Sequence, residues 1–416
     1  MTLKLLSRVC AMAMLACAGN AYAEVACSHS YGIQTSVNGV AGQTYCSSNA
    51  NDFIDYVKNL KNTHEDYTTT SAANVVGRFN DVDITLSYDA NSNKLTFNAP
   101  EIGVEGKTFE GATRSKSQDE FEDWLKKSGV IGEILRYQAK NSATSAITGA
   151  GGLMPTLSET DYNTGMSDTS NISNATNTIT TNSGNVLGIG ASFGSYSIDG
   201  SADKVETMTL PLSYTNKLDK NPNHQMIFTL PVSMYKVGKS KGYHVGLGMA
   251  YRYPVTERWI LTPGVRYSIT GSADRATVAS VMSGTLMSTY TLPVVNDKLD
   301  LTIGNMVGYY KTGKFKAGDY SFDPNIKQTM LRNGLMLSQP IMVKGKKLAI
   351  EYSAIDTRYV GSEKPFMKNM QEYGVTLGFH RDAVAENSKL SALRAGITYT
   401  NAKGANGVGF NFGYWF

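Results

Sequence analysis

Ten residues, Gly407-Val408-Gly409-Phe410-Asn411-Phe412-Gly413-Tyr414-Trp415-Phe416, place Val408, Phe410, Phe412, Tyr414 and Phe416 on one side of a two-residue repeat. Glycine and asparagine fill most of the other side. Side chains of a strand alternate between two faces, so this strand has an aromatic face and a small, polar one. Lipid requires an apolar outer face, a barrel lumen accepts a polar one, and aromatics gather at the membrane interface. The pattern therefore predicts a transmembrane β-strand; an edge strand of a soluble sheet is the alternative that the rest of the chain must exclude.

The opening residues fit a secretory signal over 1–23. Lys4 and Arg8 are positive, Val9 to Cys17 is a short apolar run, and Ala21-Tyr22-Ala23 is a small-residue cleavage site ahead of Glu24. A lipoprotein start at Cys17 has the poorer small-residue spacing. No later stretch of about 18 apolar residues could form an ordinary membrane helix, which leaves a β-barrel as the only way across a bilayer. Forty glycines and 24 tyrosines suit such a barrel.

Cys10 and Cys17 leave with the signal, so the exported chain keeps Cys27 and Cys46, expected to pair as a disulfide. A half metal site with His29 is the alternative. The formal net charge of +4 falls to about +2 once Lys4 and Arg8 are removed. That balance excludes a nucleic-acid partner and gives no sign of a substrate.

Residues 24–155 read as a small α+β domain. Phe53, Ile54, Val57 and Leu60 have helical spacing within Asn51 to Lys61. Val82, Ile84, Leu86 and Tyr88 alternate, then Asp89 to Asn93 turn the chain into Leu95 and Phe97, a hairpin. Ser117-x-x-Glu120 matches a capping box ahead of a longer helix, with a break expected at Ser128-Gly129. From 156 to 184 the chain is dominated by Ser, Thr, Asn and Asp and predicts an extended linker. Two glycosylation triplets there, at Asn171 and Asn174, are matches that Asn/Thr-rich text produces by chance.

Residues 185–416 divide into twelve alternating segments of about ten residues, the length of a tilted membrane strand. The clearest outward faces are Tyr243, Val245, Leu247, Met249, Tyr251 and Trp259, Leu261, Val265, Tyr267, Ile269. The sixth segment, Thr277 to Pro293, is expected to slip phase around Ser283-Gly284. An even strand count puts both ends of the barrel in the periplasm. The short connections Pro254 to Arg258 and Val295 to Lys298 then fall on that side, and the long ones, Thr312 to Lys327 and Asp356 to Met370, on the cell exterior.

Between the outward positions, His244, Arg252, Arg266, Asp300, Arg332, Glu351 and Arg394 point into the lumen. They make either a charged filter for small solutes or a lattice of ion pairs filling a narrow interior. His224 and His380 lie near the periplasmic rim, but no nucleophile, base and acid are spaced to define catalysis. No metal, nucleotide or other cofactor is expected: His64-Glu65-Asp66 lacks a second metal-spaced histidine, and the glycines at 188, 190 and 194 belong to a barrel strand.

A signal, an exported domain, a polar linker and a twelve-strand barrel ending in an aromatic residue resemble the autotransporter (type V secretion) family. Phe410, Phe412, Tyr414 and Phe416 look like the signal read by the barrel-assembly machinery. The resemblance implies a barrel in outer-membrane lipid of a Gram-negative bacterium that displays residues 24–155 outside the cell. Two features depart from that pattern. The N-terminal domain is short and non-repetitive, and the strong helix from Ser117 to Lys140 lies too far upstream to fill the pore, so the linker from Thr156 would have to line it. The expectation is thus a non-enzymatic anchor with a surface interaction or adhesive role. The alternative is a channel for small solutes, with the N-terminal domain periplasmic or plugging the lumen.

Overall fold

The computed structural model describes residues 25–58, 60–166, 186–295, 299–379 and 393–413. The signal peptide, His380, the linker residues 167–184 with both glycosylation triplets, and the assembly-signal residues Tyr414 and Phe416 lie outside the described residues.

The N-terminal domain is an antiparallel sheet carrying helices. Its strands are β1 (Tyr31–Val37), β2 (Val40–Ala41), β3 (Tyr45–Ser47), β4 (Ala73–Phe79), β5 (Val82–Tyr88), β6 (Lys94–Ala99) and β7 (Val104–Glu110). They run in the order β2-β1-β4-β5-β6-β7, with β3 also on β1. The helices are α1 (Ala50–Lys58), α2 (Leu60–Thr63), α3 (Arg114–Lys127) and α4 (Val130–Asn141). Alternation puts Ile33, Val75, Ile84, Leu86, Leu95 and Phe97 on one face, and this face buries Phe53 of α1 and sets Phe97 and Phe109 in tilted and edge-on contact with Phe121 and Trp124 of α3. Cys27 and Cys46 are joined as a disulfide across 19 residues, a closure that stabilises the domain by about 3 kcal/mol on the chain-entropy view. His29 is no metal ligand to them; its Nδ1 pairs with Asp203 of the barrel at 3.0 Å.

The helix boundary at residue 117 differs from expectation. The N-cap of α3 is Thr113, which accepts from the Lys116 amide. Ser117 instead donates to Asn93 O, just before β6, and accepts from the Gly111 amide, just after β7, and Glu120 accepts from the Glu110 amide. The expected box residues thus tie the helix to the sheet edge. The break does fall at Gly129, at φ +79°, in the left-handed region glycine favours.

The barrel is a closed antiparallel ring of twelve strands: β8 (Val186–Ile198), β9 (Val205–Leu218), β10 (Asn221–Val237), β11 (Ser240–Pro254), β12 (Trp259–Ser272), β13 (Thr277–Val295), β14 (Leu299–Gly313), β17 (Lys327–Val343), β18 (Lys346–Val360), β19 (Asn369–Phe379), β20 (Arg394–Ala402) and β21 (Ala405–Gly413). A small hairpin, β15 (Phe315–Ala317) with β16 (Tyr320–Phe322), sits in the loop between β14 and β17. Outward positions expose Leu187, Leu247, Val265, Leu335 and Phe410. Tyr214, Tyr253, Trp259 and Tyr290 ring the barrel near the rim where its own chain ends lie, and Tyr243, Tyr309, Tyr373 and Tyr399 ring it toward the other rim. An apolar belt between two aromatic girdles is the surface of a membrane barrel.

The sixth strand, β13, shows no slip at Ser283-Gly284. Its register with β12 runs unbroken from Trp259↔Tyr290 to Ser272↔Thr277. Met282, Leu286 and Tyr290 face out, and Gly284 shares their face without a side chain to announce it. The apolar inward residues Ala279, Val281 and Met287, which blurred the alternation, are buried because something fills the lumen. The expected loop Asp356 to Met370 is also shorter, spanning 361–368, because β18 and β19 extend beyond the belt.

The N-terminal domain sits on the rim opposite the barrel's chain ends. The Ala50 amide donates to Asp274 O at 2.7 Å, Tyr31 Oη and Asn80 Nδ2 both donate to Arg275 O, and Ser240 Oγ donates to Ser48 O. From the 361–368 loop, Glu363 pairs with Arg136 and Lys140 of α4, and the Phe366 amide reaches Ala139 O.

Partial burial raises the Glu363 carboxyl, but the hydrogen bond from Arg136 and the charges of Arg136 and Lys140 outweigh it, leaving the group below its ordinary value. A depressed folded pKa means that the tie is complete above the ordinary carboxylate range near 4.3 and is lost as pH falls through the lower folded value. Protease cleavage within 361–368 is therefore expected to stay constant from pH 8 to about 5 and to rise only in stronger acid. Glu363→Gln should cleave at one raised rate at every pH; a wild-type rise already at pH 6 would contradict this.

Candidate functional site

The segment expected to be a linker from Thr156 is helical. α5 (Leu153–Met166) lies inside the barrel, and its 14 residues span about 21 Å, close to the ~25 Å height of the apolar belt. Chain continuity and packing fix its direction. Before it, residues 143–150 fill the mouth beneath the N-terminal domain, where Ala146 packs with Val205, Tyr235 and Val237. At its far end the Thr164 carbonyl accepts from Arg252, near the end of β11, on the side of the barrel's chain ends.

The composition that suggested a linker is what a polar lumen holds. Thr160 and Thr164 turn their hydroxyls back to the carbonyls of Thr156 and Thr160, at 2.9 and 2.7 Å, so the helix supplies partners for its own polar groups. Leu153, Met154, Leu157 and Tyr162 are buried against Met287, Met306, Tyr310 and Met330 of the wall, the burial of each aliphatic side chain among them contributing about 1.5–3 kcal/mol. Tyr162 fits because Gly304 and Gly334 leave room: a Cβ at Gly304 would stand 2.6 Å from its Oη, and one at Gly334 would collide with it.

Most of the charged positions expected in the lumen hold this helix or one another. Arg266 directs Nε and Nη2 to Asp161 Oδ1 at 2.8 and 2.6 Å, and both side chains are more than 90% buried. Tyr310 donates to the other Asp161 oxygen at 3.2 Å. Arg252 grips the helix C-terminus through Thr164 O at 2.8 Å while holding Gln225 at 2.7 Å, a placement that suits a cation beside the negative end of the helix dipole. His244 Nε2 donates to Gly151 O at 3.1 Å, just before the helix, and its ring stacks on Tyr235. Arg332 pairs with Glu372 at 2.6 Å and lies over the Tyr162 ring at 5.0 Å. Glu351 and Arg394 pair within the wall. Asp300 is half-buried near the rim that carries the chain ends, in register with Ser338.

The decisive residues of the lumen, Asp161 and Tyr162 on the helix and the glycines opposite them, are absent from the sequence expectation. The available signal was Leu153, Leu157 and the threonines four apart, weakened by Pro155 and Gly165. Among the described residues, cavities border the helix on two sides. One of about 90 Å³ lies between it and β8–β10, bordered by Glu159, Arg252, Thr209 and Thr229; one of about 50 Å³ lies toward β19–β21. His224 bonds Tyr251 Oη at 2.8 Å, and among the described residues no group of three or more His, Cys, Asp or Glu is placed to hold a metal.

The protein is a closed twelve-strand β-barrel of the membrane-spanning kind with a helix through its lumen. Solved structures similar to it include the β domain of the Bordetella autotransporter BrkA, at 16% identity over 55% of this chain and 99% of that one, with a TM-score of 0.40. The translocator domain of the autotransporter NalP from Neisseria meningitidis is 14% identical over 56% of this chain and 87% of that one, also at 0.40. The KdgM porin is 13% identical over 55% and 99%, at 0.31. No protein-family model matches the chain, and no curated protein matches it.

Removing Asp161 would leave the Arg266 guanidinium buried without its carboxylate, a loss of about 3–5 kcal/mol. Asp161→Ala should lower unfolding stability in detergent by that amount, and Asp161→Ala with Arg266→Met should recover most of it. Equal losses in the single and double variants would show that the pair does not hold the helix.

Proposed function

We propose that this barrel anchors the N-terminal domain at the cell surface, where the domain serves a non-enzymatic interaction or adhesive role. One observation carries the reading: the domain and the barrel's own chain ends lie on opposite rims, with α5 crossing between them. Both ends of an even-stranded bacterial barrel lie in the periplasm, so the opposite rim, and the domain on it, faces outward. The hydrophobic cluster that begins at Leu135 and Ala139 in α4 continues through Leu153 and Leu157 to Met306 in the wall. A shared core of this kind favours a domain that stays docked over one that swings on a tether. The helix in the lumen weighs against an open solute channel, since the remaining gaps of about 90 and 50 Å³ hold only a few waters each.

The Asp89 to Asn93 turn is an exposed hairpin tip on the domain. An epitope inserted at Asn91 should be removed by protease added to intact cells while the barrel stays whole. Protection of the epitope until the outer membrane is broken would place the domain in the periplasm and overturn the display reading.

A further inference from the structure

The barrel wall is uneven. From β13 round to β21, and across the closing pair of β21 with β8, the strand registers run without a skipped pair through the belt. Between β8 and β12, three of the four do not. The β8–β9 register jumps from Ile189↔Leu212 to Ser192↔Thr209, β10–β11 from Thr229↔Gly248 to Val232↔Val245, and β11–β12 from Ala250↔Gly264 to Tyr253↔Leu261.

Each gap holds a proline. Pro211 and Pro231 face each other across the β9–β10 pair, whose register they leave intact. Amides along an antiparallel strand point alternately to its two neighbours, so the N–H groups these prolines lack would have pointed away from each other, toward Gly190 on β8 and Gly246 on β11. Each opposing carbonyl loses its ladder donor at a depth where lipid offers no water in its place. Pro263 does the same between β12 and β11. Proline inside a central strand breaks a sheet ladder, and here two breaks at one level isolate the β9–β10 hairpin on both sides.

The lumen behind that hairpin also holds the larger of the two gaps described beside the helix. The cavity of about 90 Å³ is bordered by Pro211 and Pro231 themselves, with Thr209, Thr229, Glu159 and Arg252. On the opposite side α5 is packed dry against Met287, Met306, Tyr310 and Met330. We propose that β9–β10 is a yielding panel: it moves away from a helix that stays fixed to β11–β17, and widens the gap into a transient path for water and small hydrated solutes past the helix. This does not depend on which side of the membrane carries the N-terminal domain.

The test is amide hydrogen exchange of the full exported chain in lipid nanodiscs. Amides of Thr209–Ser213 and Thr229–Ser233 should exchange at least about tenfold faster than those at matched depth in Gly304–Gly308 and Leu331–Leu335. Pro211→Ala with Pro231→Ala, which returns both donors, should remove most of that difference and make the brief openings of wild-type protein in planar bilayers several-fold rarer. Equal exchange in the two sectors, a difference untouched by the double substitution, or the absence of wild-type openings would each overturn the proposal. If the double variant does not assemble, the wild-type comparison between sectors decides it alone.

Discussion

The ion pair between Arg266 on the wall and Asp161 on α5 is the constraint on which the rest of the structure depends. Two charges more than 90% buried are tolerable only with each other and with further partners, which here include Tyr310. That requirement fixes the helix within the barrel. Its rotation is then set by Tyr162, which must meet Gly304 and Gly334, and its ends by Arg252 and His244. With the helix fixed, the N-terminal domain is brought onto one rim by the few residues of chain between α4 and α5.

The barrel was legible because lipid imposes a strict rule. Outward positions such as Tyr243 through Tyr251 must be apolar every second residue, and a two-residue period survives in the text wherever both faces carry side chains. It faded at Gly284, which has none, and at Val281 and Met287, where the lumen is dry. The positions of the inward charges followed from the same alternation. Their partners did not, because Asp161 lies in a segment whose threonines and asparagines look like a linker. Those hydroxyls bond within the helix, and a 14-residue helix is marginal without a surface to pack on, so local propensity marks it only weakly. Ser117 and Glu120 show the converse: the spacing of a cap was present, but the sheet edge claimed both side chains.

A charged lumen thus has a different meaning from the one its residue list invites. Rings of arginine in an empty pore would select ions. Here Arg252 and Arg266 are committed to a helix that bears Glu159 and Asp161 and no basic residue, so the acidic helix and the basic wall neutralise each other. β9 and β10 supply no charged group to the helix, and their paired prolines, Pro211 and Pro231, break the ladder on both sides of that hairpin.

The central claim is that the chain passes through the barrel between the N-terminal domain and β8. Cysteines at Asp161 and Arg266, treated with a short bifunctional thiol reagent in intact cells, test it directly when a protease site is added within residues 171–176. After cleavage, the fragment bearing the N-terminal domain should remain covalently attached to the barrel on a denaturing gel. Release of that fragment, with a wall-to-wall cysteine pair cross-linking normally in the same cells, would contradict the account.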